Sequence, residues 1–171
     1  MTQTKVEAPF VQSNANFRNL FINGDMQIAQ RGTSLSLTNG NSKFPVDRFK
    51  VFTEGSFAYT VSQSTDVPTG EGFTTSLKFD VTTADTSTAS AERVHFGQTI
   101  EAQNLQHLAS ATSSAKKVTL SFWVKSNKTG TYSFHIRQND DQRGLTKSYT
   151  ISSADTWEKK IINIPLSKGT L

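Results

Sequence analysis

Residues 118–125, VTLSFWVK, alternate so that Val118, Leu120, Phe122 and Val124 face one way while Thr119, Ser121, Trp123 and Lys125 face the other. A tryptophan on the polar side of a strand offers a flat apolar surface. A pyranose ring stacks on such a surface while guanidinium, imidazole and amide groups read its hydroxyls. The next run, TYSFHIR, turns Tyr132, Phe134 and Ile136 to one side and Ser133, His135 and Arg137 to the other. A hairpin across the turn-rich residues 126–130 would put Trp123, His135 and Arg137 on one polar face, a candidate carbohydrate-binding patch. The competing reading is a Trp123 packed beneath a neighbouring loop or subunit.

Other chemistry is less well supplied. Nucleophilic catalysis needs a serine held against a histidine that a carboxylate orients. His95, His107 and His135 stand among many serines, yet no glycine-flanked serine elbow is present. Glu92 and Glu101 read as solvated edge carboxylates rather than as a glycosidase pair. A non-enzymatic protein is therefore expected. The chain has no cysteine, which excludes disulfides and cysteine-rich zinc sites and leaves the redox compartment open. Its net charge of +4 and pI near 9.4 come from dispersed cations, the densest being the pairs Lys116-Lys117 and Lys159-Lys160. No nucleic-acid partner is expected from so thin a basic pattern. No apolar stretch approaches the roughly eighteen residues of a spanning helix, and MTQTKVEAPF lacks an apolar signal core. A soluble chain without membrane insertion or a secretion address is the expectation.

Short strands must position these groups. Leu20 and Ile22, then Met26 and Ile28, alternate on either side of Asn23-Gly24-Asp25, which predicts strand, turn and strand. Phe57, Tyr59 and Val61 form another period-two row, as do Leu77, Phe79 and Val81 after the turn signals of residues 68–72. Val94, Phe96, Gln98 and Ile100 repeat the pattern, and Leu105 and Leu108 could seat a short helical turn. Tyr149 with Ile151, then residues 157–164, supply the last strands. Residues 139–144 are a polar loop whose Asn139-Asp140-Asp141 is oxygen-rich enough to suggest a cation. About a quarter of the chain is serine or threonine, and no helical pattern exceeds about ten residues. With 171 residues, one all-β sandwich is the simplest architecture. Residues 1–16 are polar and aperiodic, either an arm that orders on docking or a frayed end.

The order NLFINGDMQIAQRGT, PVDRFKV, TTSLKF, QTIE, VTLSFWVKS with GTYSF, and TWEKKIINIP, from about residue 16 to 165, carries a family likeness. It resembles the jelly-roll β-sandwich domains of tailed-bacteriophage virion structural proteins, tail fibres especially. The same skeleton is similar to galactose-binding-like and CenC-type carbohydrate-binding modules. The resemblance implies an N-terminal arm over residues 1–16 that attaches to the particle and a jelly-roll sandwich over 17–171. It implies a virion location, a tail-fibre or surface-fibre role, other virion proteins of head, tail or fibre as partners, and a homo-oligomer, by default a trimer. Alternatives are a module that recognises host-surface polysaccharide, or a capsid decoration or adaptor protein.

The resemblance also implies that no cofactor is needed beyond a structural calcium near the first strand, which Asn23 and Asp25 match by position. The family's Phe-Glu after the turn is Met26-Gln27 here, which weakens one oxygen ligand. Asn23-Gly24-Asp25 as plain turn chemistry is the alternative. Trp157 resembles the tryptophan that opens a late strand and reads as core or edge packing. Asp47-Arg48 reads as an anchor between the N-terminal turn and the sandwich. A further strand or two is expected after Leu171, supplied either by a continuing chain or by a neighbouring copy that pairs with the unprotected edge.

Overall fold

The computed structural model describes residues 19–138 and 144–166. The suggested arm and the Asn139-Asp140-Asp141 candidate lie outside these residues. The fold is all-β, with antiparallel pairing throughout.

The first six strands build two three-stranded sheets. β1 (Ser34–Leu37), β4 (Ala58–Ser64) and β5 (Ser76–Thr83) form one in that order, and β2 (Ser42–Val46), β3 (Phe49–Glu54) and β6 (Arg93–Gln98) the other. Alternation decides which residues meet. Leu37, Val51, Tyr59 and Val61 close into one core, with Phe57 and Leu77 against it. Burying each such side chain contributes about 1.5–3 kcal/mol. The Tyr59 hydroxyl is sunk deep enough that burial pushes its pKa up to about 12. Thr53 is the buried polar exception, and its hydroxyl donates to the Thr38 carbonyl at 2.6 Å. The β2–β3 turn is only Asp47-Arg48, and Arg48 takes a left-handed φ of +72° to make it.

The last four strands form a smaller unit. β7 (Lys117–Val124) pairs with β10 (Glu158–Pro165), and β8 (Gly130–Arg137) with β9 (Gly144–Ile151). Ile162 and Ile164 of β10 pack with Phe122 of β7, Phe134 of β8 and Tyr149 of β9 in one core. Phe122 meets Tyr149 edge to face at 5.1 Å. Two short 3-10 turns, Ala102–Asn104 and Gln106–Leu108, carry Leu105 and Leu108 onto that core, as their spacing predicted. The two units meet on Asp66, which pairs with Lys125 and accepts the Trp157 indole N–H at 3.0 Å. The Lys125 ammonium also lies over the Trp157 ring.

Two expectations need correction. Residues 19–33 contain no strand; the segment runs as a loop around an Asn23 to Met26 turn. β7 and β8 are consecutive but do not form a hairpin, because the hairpin is β8–β9 and β7 takes the distant β10.

Candidate functional site

The pairing separates Trp123 from His135 and Arg137. Trp123 stands opposite Lys159 on the outer face of β7–β10, and the ammonium lies 5.8 Å from its ring centroid. His135 and Arg137 stand on the outer face of β8–β9, opposite Thr146 and Gly144. Because the inner faces of these two pairs share one core, the outer faces look in opposite directions. His135 is further engaged by a 2.9 Å hydrogen bond between Nδ1 and the Thr146 hydroxyl. The three side chains therefore stand on two faces of this unit.

The calcium pair is engaged in turn contacts. The Asn23 amide donates to the carbonyls of Ile28 at 2.9 Å and Asp47 at 3.0 Å, while its Oδ1 accepts the Ile28 N–H at 2.9 Å. Its oxygen therefore serves the turn. Asp25 contributes its backbone carbonyl to the Thr75 hydroxyl at 2.7 Å. Among the described residues no three His, Cys, Asp or Glu side chains converge on a point where a metal could sit.

What Asn23 does instead is staple a strandless segment to the sandwich. The Asp47 N–H completes the staple by donating to Ile28 at 2.9 Å. Gln98, at the end of β6, accepts the Ile22 N–H at 2.9 Å and donates to the Ile22 carbonyl at 2.7 Å, so its carboxamide stands in for a neighbouring peptide. Gln63 of β4 donates to the carbonyls of Met26 and Gln27. The anchoring role expected of Asp47-Arg48 is thus carried by the Asp47 backbone. The Arg48 guanidinium goes to Glu101, bonding both carboxylate oxygens at 2.8 and 3.0 Å. Glu101 is not the free edge residue its sequence suggests, and Arg48 holds its carboxyl below the usual carboxylate range. Glu92 likewise accepts the backbone N–H groups of Ser56 and Ala89.

This Arg48–Glu101 pair forms one wall of an open groove of about 510 Å³ that also takes in Arg31, Phe44, Asp47 and Lys50. Phe44 is partly exposed, and the Arg31 guanidinium lies 5.1 Å from its ring centroid. An aromatic face, two guanidinium groups, an ammonium and carboxylates around one space can stack on a sugar and bond its hydroxyls. Phe44 lies outside the segments that carry the family likeness and Arg31, within NLFINGDMQIAQRGT, bears no binding signal of its own; the β2–β3 turn and the staple at Asp47 bring them together. No protein-family model, no curated protein and no solved structure matches this chain.

Proposed function

We propose that the chain is a non-enzymatic virion structural module, a tail-fibre or surface-fibre subunit that attaches to a phage particle and presents a β-sandwich outward. The observation that carries this reading is a sandwich left open on one side. Phe79 and Val81 of β5 and Val94 and Phe96 of β6 belong to the core-facing rows yet remain exposed. A protein that works by assembling with copies of itself or with other proteins has a use for such a side. The jelly-roll order belongs to the same proposal, supported by the non-sequential pairings β1–β4 and β3–β6, which Greek-key sandwiches use. Quantitative mass spectrometry of gradient-purified particles is the test. The chain should be recovered at a fixed copy number per particle; its recovery only in the particle-free fraction would end this reading.

A second reading, recognition of host-surface polysaccharide, is favoured by the Arg31–Phe44 groove. Retention on immobilised envelope polysaccharide should then fall about tenfold or more for Phe44→Ala, the loss of one stacking platform. Trp123→Ala should leave it unchanged. Equal retention by wild type and Phe44→Ala would remove the groove from consideration.

A further inference from the structure

We propose that β5 is the seam of a two-fold dimer, in which the β5 strands of two copies of this chain pair antiparallel about Phe79. The pairing would fuse two three-stranded sheets into one of six strands. It holds whether or not the chain belongs to a virion.

The first six strands present four sheet edges, and they are not alike. At β1 the Lys43 ammonium donates to the Ser36 carbonyl at 3.3 Å and occupies an edge acceptor. β2 contains Pro45, which has no N–H, and its register against β3 is irregular between Lys43 and Val46. β6 carries Arg93, includes Gly97 and has no carboxylate, so no two-fold register sets Arg93 opposite a negative charge. β5 has eight residues, SLKFDVTT, with neither proline nor glycine. Its side away from β4 has no partner strand among the described residues.

A two-fold interface requires one strand to be complementary to itself run backwards. Centred on Phe79, the antiparallel register sets Lys78 opposite Asp80, Leu77 opposite Val81 and Ser76 opposite Thr82, each pair occurring twice. Leu77, Phe79 and Val81 stand opposite Gln63, Val61 and Tyr59 of β4 and so share the core-facing side, while Lys78 and Asp80 point outward. The apolar row would therefore continue across the seam on one face, with two ion pairs on the other. Neighbouring registers fail. A centre at Lys78 or at Asp80 opposes like charges, and a half-step shift sets Lys78 against Phe79.

Within one chain Lys78 and Asp80 lie 3.6 Å apart with side chains 58% and 61% exposed, so both are free to exchange partners. The seam is small beside the roughly 1,600 Å² of a standard interface, which makes the dimer concentration-dependent. A trimer would need a different, head-to-tail contact.

Sedimentation velocity of the full chain over a wide concentration range tests this, with Lys78→Asp, Asp80→Lys and the double swap. The wild type should move from 18.8 kDa monomer to dimer. Each single swap turns two attractive pairs into two repulsive ones and should weaken association about tenfold or more. The double swap should restore it, and unchanged circular dichroism should show that all variants fold. Carbodiimide coupling of mixed isotopically light and heavy wild type should also yield an interchain Lys78–Asp80 link. A monomer at every concentration, a trimer, or a dimer indifferent to the single swaps would overturn the proposal.

Discussion

Val51 and Val61 are fully buried, while the residues directly beside them on the next strand, Phe96 and Phe79, remain 39% and 36% exposed. All four face the same core. What separates them is one strand position. Among the described residues β3 and β4 are flanked on both sides, whereas β5 and β6 end their sheets at the edge away from β1 and β2, whose Leu37 and Val46 are buried. Val81, opposite the buried Tyr59, is exposed by 58%. Burial therefore falls off from the β1 and β2 edges toward β5 and β6, and again along β5 from Leu77 to Val81, so the open side lies on apolar residues and not on a polar sequence. Across the opening Phe79 and Phe96 still touch edge to face at 5.4 Å, continuing a stack in which Phe96 lies 5.0 Å from Phe49 and Phe49 lies 6.1 Å from Phe21.

The largest test of this contrast is a pair of truncations. Leu37→Ala, on the closed side, should cost about 2–5 kcal/mol in urea unfolding of the monomer. Val81→Ala, of similar chemistry on the open side, should cost under about 1 kcal/mol, because most of its surface already meets water. Similar losses at the two sites would show that the open side is covered in solution. Removing the staple should rank next. Asn23→Ala discards three hydrogen bonds around one turn and should lose about 1–3 kcal/mol, with faster amide exchange confined to residues 19–33.

A smaller effect concerns the junction between the two units. The Lys125 and Trp157 hydrogen bonds hold the Asp66 carboxyl below its usual range. A depressed carboxylate contributes stability above its unfolded pKa and loses that contribution as pH falls through the folded value. Stability should therefore decline as the pH drops below about 4, and Asp66→Asn should make that decline shallower. An identical acid profile for the variant would separate Asp66 from the junction. The smallest expected change is Trp123→Ala. Its ring meets Lys159 on an outer face, so the unfolding free energy should change by less than about 1 kcal/mol.

Much of the strand pattern is legible from alternation alone. The rows at Tyr59, Phe79, Phe96, Leu120, Phe134, Tyr149 and Ile162 each mark a strand, and Leu105 with Leu108 marks the helical turns. β1 escapes notice because SLSL is short, and β2 because Pro45 interrupts it. Alternation reports which face a residue occupies but says nothing of which strand lies beside it. For that reason Trp123 and His135, close in sequence, could be assigned to one surface although β7 pairs with β10. The same limit hides Gln63 and Gln98. Each looks like an ordinary polar residue in a strand and acts as a surrogate peptide only because residues 19–33 pass beside it. The turn trio Asn23-Gly24-Asp25 was readable as a turn, but the long-range staple to Asp47 was not.

The most direct measurement is hydrogen–deuterium exchange, read residue by residue, at low and high protein concentration. Those β5 amides that point away from β4 should exchange quickly when dilute and gain protection when concentrated, while the β2 and β6 edges stay unchanged. Protection that never develops on β5, or that develops on β2 or β6 instead, would contradict the account.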